Sequence, residues 1–165
     1  MNVLFHTTTA LGIAVLFTHT KSKKPSIVTS IFVFISGILS HGILDIIPHC
    51  YPIPSKLDVS LGLLMILTAT WFSNKNYRTL VLSAFIGCII PDLIDLSPSI
   101  LNKQLGWNLP VFDKLFPWHF KQFSGSIYTD DCTISTMNHS IVVIALGAVC
   151  WYRRSVVKEM FSKGE

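Results

Sequence analysis

Residues 26–47 read SIVTSIFVFISGILSHGILDII, an apolar run that contains no Lys, Arg or Glu. A helix of about 20 apolar residues is long enough to cross the hydrocarbon core of a bilayer. The run therefore predicts a transmembrane helix. Its ionisable residues, His41 and Asp45, both lie near one end of that helix.

Four more apolar runs predict further membrane helices. Half of the 165 residues are hydrophobic and 13% are charged, whereas a soluble domain usually carries about a quarter charged residues. The composition favours an all-α, polytopic membrane protein with about five transmembrane helices in one bundle, forming a single domain over residues 1–165. The other four runs are Asn2–His19, Leu57–Phe72, Thr79–Leu96 and about Ser135–Tyr152.

The longest connection between the predicted helices covers residues 97–134. Its aromatic stretch Phe116–Phe120, with the sequence FPWHF, is typical of a segment that lies at the level of the lipid headgroups. We expect His119 to be an interface anchor within this segment.

The basic residues predict the orientation. Nine of the 13 Lys and Arg residues fall on one side of a five-helix arrangement, and the net charge is +4. The positive-inside rule then places the N-terminus outside and the C-terminus in the cytoplasm, in what we expect to be a bacterial inner membrane. Because the basic residues form short clusters at helix ends, they do not indicate nucleic-acid binding.

The acidic residues and histidines gather on the predicted outer side. His41 and Asp45 are spaced i, i+4 and share a helix face, and Asp92 and Asp95 are spaced i, i+3. Two carboxylates near lipid are costly unless a cation compensates them or one is protonated. A divalent metal, with zinc favoured, is the leading occupant. The predicted ligands are His6, His41, Asp45, Asp92, Asp95 and His139.

Some polar residues have simpler interpretations. Asp58 is expected to cap the third helix or to face water, Asp130 and Asp131 to cap the last helix, and His19 to lie at the cytoplasmic end of the first helix. Cys50 and Cys132 lie outside the predicted spans, and whether they form a disulfide stays open. Cys88 and Cys150 fall inside the spans, where we expect them to be small apolar packing residues.

Several of these motifs together resemble the bacterial membrane-bound metal-dependent hydrolase family, which includes the inner-membrane hydrolase of the SOS regulon. The family usually reads Pro-Asp-x-Asp-His and His-Arg-Gly-x-Thr-His-Ser, where this chain has Pro-Asp-Leu-Ile-Asp and His-Ser. The resemblance implies metal binding and hydrolysis. It rests on His6, Ser40-His41-x-x-x-Asp45, Pro91-Asp92-x-x-Asp95 and His139-Ser140.

The expected function is a membrane hydrolase that acts at the outer face on a lipid or lipid-linked ester, amide or phosphodiester. Asp95 or Asp92 would be the general base, and His49 a candidate acid for the leaving group. A metal-ion or proton transporter, or a non-enzymatic protein with a structural metal site, remain alternatives. The sequence predicts no oligomeric state.

The distribution of basic residues makes the orientation testable. A reporter fused to the C-terminus should be active only in the cytoplasm, and cysteine labels at Lys56 or Lys121 should react in intact cells. If a label at Lys121 reacts only after lysis, the predicted orientation is wrong.

Overall fold

The computed structural model describes residues 1–18, 25–128 and 132–162 and is all-helical over these ranges. The predicted helices are confirmed to within a few residues at each end. A short helix, α5, follows α4, and another, α7, follows α6. The bounds are α1 Val3–Phe17, α2 Ile27–Ile46, α3 Ser55–Phe72, α4 Arg78–Asp95, α5 Ser97–Leu105, α6 Thr133–Tyr152 and α7 Arg154–Phe161.

The number of candidate membrane spans is lower than the five predicted. Within the described ranges, three helices, α2, α3 and α6, are long and apolar enough to cross a bilayer. The pair α4 and α5 is bent by 62° and counts as a fourth if it is one broken span. With 15 residues, α1 is only about 22 Å long, and α4 carries Arg78, Asp92 and Asp95. The short length of α1 and the charged residues of α4 therefore explain why neither helix alone qualifies as a membrane span.

The apolar surfaces of the spans face outward. Only 11% of the residues in the apolar stretch of α3, and 11% of those in α6, are buried. Leu67, Trp71 and Ile144 are among the exposed side chains. A water-soluble protein rarely exposes so large an apolar surface, whereas lipid tails cover it at no cost. The fold is consistent with a helical membrane bundle.

The centre of the bundle depends on a close approach of α2 and α4. A Cβ atom added to Gly87 would lie 2.2 Å from the carbonyl oxygen of Phe34, and one added to Gly37 would lie 2.9 Å from the amide nitrogen of Cys88. Small residues allow helix backbones to approach this closely in membranes. The buried core around this contact includes Ala10, Ala14, Val15, Val33, Leu80, Ala84, Phe85 and Cys88.

The C-terminal ends of α2 and α4 meet the N-terminal ends of α1, α3 and α6 at one end of the bundle, which we call the polar end. Asp58 lies here, and its role differs from the prediction. Its carboxylate accepts hydrogen bonds from the amides of Val3 at 2.8 Å and Leu4 at 2.9 Å. Asp58 is buried and caps α1 instead of its own helix, because α3 begins beside the start of α1.

A disulfide joins Cys50 to Cys132 at the polar end. It ties the segment after α2 to the start of α6 and so answers the question that the sequence left open. Cys88 and Cys150 are free, and Cys88 is a buried packing residue as expected. His19, Asp130 and Asp131 lie outside the described residues.

Because α2 and α4 approach so closely, adding a single methyl group between them should destabilise the folded protein. Gly87→Ala would force the two backbones apart and should lower the free energy of unfolding by about 1–3 kcal/mol. Thermal unfolding in detergent measures this effect. Gly147→Ala, in α6, is the matched control, because a Cβ there meets nothing within 4 Å. Equal stability of the two variants would contradict the proposed packing.

Candidate metal centre

Four side chains meet at the polar end and could hold a metal ion. His41 and Asp45 come from α2, Asp92 from α4, and His119 from a 3-10 turn over Pro117–His119. Each residue offers one ligand atom, and these four atoms all lie within 4.8 Å of one another. His41, Asp45 and His119 are buried, and Asp92 is partly exposed.

The ligand atoms are close and evenly spaced. Nε2 of His119 lies 3.3 Å from Nε2 of His41, 3.3 Å from Oδ2 of Asp45 and 3.3 Å from Oδ1 of Asp92. Nε2 of His41 lies 3.2 Å from Oδ2 of Asp45 and 3.5 Å from Oδ1 of Asp92. Each imidazole therefore faces both carboxylates.

The Nδ1 atoms of His41 and His119 each face an oxygen that can only accept a hydrogen bond. Nδ1 of His41 lies 2.6 Å from the carbonyl oxygen of Cys88, and Nδ1 of His119 lies 2.8 Å from Oδ2 of Asp95. Both Nδ1 atoms must therefore carry a proton and donate it. In the neutral rings the two Nε2 atoms are then lone-pair acceptors that face each other. Such an arrangement calls for a cation, either a proton or a metal, between them.

Asp95 lies behind His119 and outside the group of four, although the sequence predicts it as a ligand or base. Besides His119, its carboxylate accepts hydrogen bonds from the amides of Leu115 and Phe116, both at 2.9 Å. Three donors occupy this carboxylate, so Asp95 fixes the orientation of the His119 ring. Residues in this position commonly tune metal affinity without binding the metal.

His6, another predicted ligand, supports the group from the side. Its ring stacks on His41 with centroids 4.0 Å apart, and its Nε2 lies 3.2 Å from Oδ1 of Asp45. The amino group of Met1 also contacts Oδ1 of Asp45. Asp45 thus turns one oxygen toward α1 and the other toward the two histidines of the group.

His139, predicted as a ligand, lies elsewhere at the polar end. Its ring stacks on Phe5 with centroids 4.1 Å apart, and its Nδ1 lies 3.4 Å from the hydroxyl oxygen of Ser135. Ser135 in turn accepts a hydrogen bond from the amide of Cys50 at 2.7 Å. His139 therefore packs between α1 and the segment tied by the disulfide.

His49, predicted as a general acid, forms a separate network. Its Nδ1 donates to the carbonyl oxygen of Ile47 at 2.7 Å, and its Nε2 lies 3.1 Å from the Tyr51 hydroxyl and 3.3 Å from that of Ser126. Burial is the main cause that lowers the pKa of His49 to about 4, so the ring is neutral near pH 7.

His119 is the member of the group that the sequence does not predict as a ligand. The prediction of an interface anchor is wrong, because the ring is buried among three carboxylates. Burial on its own would lower the pKa of His119, but the contacts with Asp45, Asp92 and Asp95 outweigh it and raise the pKa to about 10. One feature of the sequence could have identified His119 as a ligand. It lies in a long loop on the side of the bundle that carries the acidic residues, and long loops in compact domains are often functional.

The segment that follows His119 is fastened to the end of α2. Three backbone hydrogen bonds make this connection. The amide of Gly125 donates to the carbonyl oxygen of Asp45 at 2.8 Å. The amide of His49 donates to the carbonyl oxygen of Gly125 at 2.9 Å, and the amide of Ile127 donates to the carbonyl oxygen of His49 at 2.8 Å. A Cβ at Gly125 would lie 2.3 Å from the carbonyl oxygen of Ile47, so glycine is needed here. The loop therefore runs beside the end of α2 that carries His41 and Asp45.

Comparisons of the chain with models of protein families, with curated proteins and with solved structures give no match. The resemblance to the membrane-bound metal-dependent hydrolases therefore stays a prediction.

Proposed function

We propose that the protein is an integral-membrane, metal-dependent hydrolase that binds one divalent ion, best zinc, among His41, Asp45, Asp92 and His119. The spacing of the ligand atoms carries this proposal. Zinc bonds of 2.0–2.1 Å in a tetrahedron place neighbouring ligand atoms about 3.3 Å apart. The five distances between a histidine nitrogen and another ligand atom of the group are 3.2–3.5 Å.

The charges of the group also fit a divalent ion. A metal would displace the proton that the raised pKa of His119 otherwise keeps on its ring. Two neutral imidazoles and two carboxylates then carry a charge of about −2, which one divalent cation would neutralise. A charged group at the edge of the bilayer is costly unless it is paired. Imidazole nitrogen and carboxylate oxygen are both common zinc ligands, and the Nδ1 partners of both rings are of the kind that orients metal-binding histidines.

Asp92 is the best candidate for the general base. Its side chain is 23% exposed, and in the described part of the chain its carboxylate contacts only the two Nε2 atoms. The carboxylate of Asp45 is braced by His6, and that of Asp95 by two amides and His119. Asp92 is therefore the carboxylate with most freedom to leave the metal and accept a proton.

The reaction follows from this division of roles. His41, Asp45 and His119 would hold the metal, with Asp92 as the ligand that gives way to water, and the metal would supply a bound water whose pKa is lowered toward neutrality. Asp92 would accept a proton from the water whose oxygen attacks the carbonyl carbon or phosphorus of the substrate, and it would return that proton to the leaving oxygen or nitrogen as the scissile bond breaks. Because the group lies at the end of the candidate spans, the proposed substrate is a lipid or lipid-linked ester, amide or phosphodiester.

The disulfide supports an outer-face location. Disulfides persist in oxidising compartments, and the Cys50–Cys132 bond lies at the same polar end as the metal-binding group. This matches the orientation expected from the basic residues. A transporter is a weaker candidate, because every buried His and Asp within the described ranges lies at the polar end and none lines the rest of the bundle.

Metal binding is tested by analysing protein purified without chelator. We expect about one equivalent of zinc in the wild type and at least a tenfold loss of affinity in His41→Ala, Asp45→Asn and His119→Ala. Removing the metal from the wild type should also lower its melting temperature, because the ion binds the folded state. Asp113→Asn is the matched control, since Asp113 is an exposed carboxylate in the same loop. A wild type that neither contains nor takes up a divalent metal would rule out the metal centre.

A second experiment separates catalysis from a purely structural metal. Asp92→Asn should keep most of the metal and stability but lower hydrolysis of a lipid ester or phosphodiester at least 100-fold. Asp95→Asn should instead weaken metal binding about 10–100-fold through His119. Proportional loss of metal, stability and activity in both variants would favour the structural alternative, and the hydrolase proposal should then be dropped.

A further inference from the structure

The loop between α5 and His119 exposes a set of apolar side chains beside the metal centre. We call residues 105–116 the arm. Phe112 is 79% exposed and Leu115 is 68% exposed. Contiguous apolar surface of this kind usually marks an interaction site. The other apolar residues of the arm that are exposed are Leu105, Trp107, Leu109 and Val111.

The arm has a defined shape. The helix α5 ends at Leu105 and is followed by Gly106, which adopts a left-handed conformation with φ 68°. The side chain of Asn102 then exchanges two hydrogen bonds with the backbone of Leu109, at 2.8 and 2.9 Å. The amides of Leu115 and Phe116 return the chain to Asp95. The apolar side chains are therefore held outward by polar contacts at both ends of the arm.

The position of the arm points to a membrane surface. It begins after the 62° bend between α4 and α5, which redirects the chain at the polar end of a candidate span. The arm therefore starts next to the candidate span that α4 and α5 form, with exposed apolar side chains that suit the adjacent leaflet. Trp107 suits the boundary between lipid and water, where tryptophan is enriched.

The charges near the arm indicate which lipids it meets. Lys103, Lys114 and Lys121 are exposed around it, whereas Asp113 is the one acidic residue between positions 97 and 128. Each lysine near an anionic surface contributes about 1 kcal/mol, or roughly a fivefold local enrichment. The surface is therefore complementary to anionic phospholipid headgroups.

We propose that the arm inserts its apolar side chains into the leaflet on the side of the metal centre and gathers anionic phospholipids there. Phe116, at the end of the arm, and His119 are both held by the Asp95 carboxylate, so the membrane contact lies next to the metal-binding group. This narrows the substrate class to an anionic phospholipid of that leaflet, an extension that rests on the proposed function. The membrane contact itself requires neither a metal nor turnover.

Tryptophan quenching by brominated phospholipids tests the contact in the full-length protein. In a Trp71→Phe, Trp151→Phe background, vesicles with bromine near the headgroup end of the acyl chains should quench fluorescence strongly. Adding Trp107→Phe should remove most of that quenching, and Trp118, which packs on His41, is left unchanged. If Trp107 is instead quenched only by aqueous iodide, the arm faces water. If it is shielded from both quenchers, a protein covers it. Either result overturns the proposal.

The lipid preference is tested with equal mixtures of phosphatidylcholine and phosphatidylglycerol in which only one lipid is brominated. We expect stronger quenching of Trp107 when phosphatidylglycerol carries the bromine. A Lys103→Gln, Lys121→Gln variant should reduce that preference severalfold. Lys56→Gln, an exposed lysine at the start of α3, should leave it unchanged. Equal quenching by the two lipids in the wild type would contradict anionic selection. Because none of these measurements depends on hydrolysis, they can fail or succeed independently of the proposed function.

Discussion

The carboxylate of Asp95 is the contact on which the rest of the polar end depends. It joins the end of α4 to a loop that has little regular structure, through hydrogen bonds from Leu115, Phe116 and His119. Hydrogen bonds to an ionised acceptor are stronger than neutral ones, and here three of them converge on one buried group. Because the ring of His119 is fixed at Nδ1, its Nε2 points at Asp45 and Asp92. Without this contact, the loop would be fastened to α2 mainly through the backbone of Asp45 and His49.

Much of the fold could be predicted because the signals are local. Apolar runs gave the helix bounds to within a few residues, and the spacing of His41 and Asp45 placed both on one face of α2. Because successive helices cross the bundle in opposite directions, the ends of α2 and α4 lie beside the start of α1. His6, His41, Asp45 and Asp92 therefore lie at one end of the molecule, as predicted. The helical membrane bundle is confirmed, with three or four candidate spans in the described ranges against about five predicted, because length and charge decide whether an apolar helix can cross alone.

The details of the site could not be predicted, because they depend on angles and on distant contacts. Residues three apart on a helix differ by about 60° in direction, so Asp92 faces the group of four while Asp95 faces the loop. His119 is 78 residues from His41 in sequence and arrives through an irregular segment. Its neighbours, Pro117 and Trp118, occur beside interface anchors as well as beside metal ligands, so the local sequence does not distinguish these two roles for His119.

The way in which the group of four is held bears on what a metal would do there. A structural metal is needed where it draws together elements that would otherwise separate. Here α2 and α4 already meet through the glycine contacts, and a backbone carbonyl of α4 orients His41. The loop is fastened by Asp95, by the carbonyl oxygen of Asp45 and, farther along, by the disulfide. The ligands are therefore positioned by the protein itself, so an ion is not required to staple these elements. Such preorganisation around a partly exposed carboxylate, Asp92, is what a catalytic metal requires, because the ion must keep a position for water without losing its other ligands.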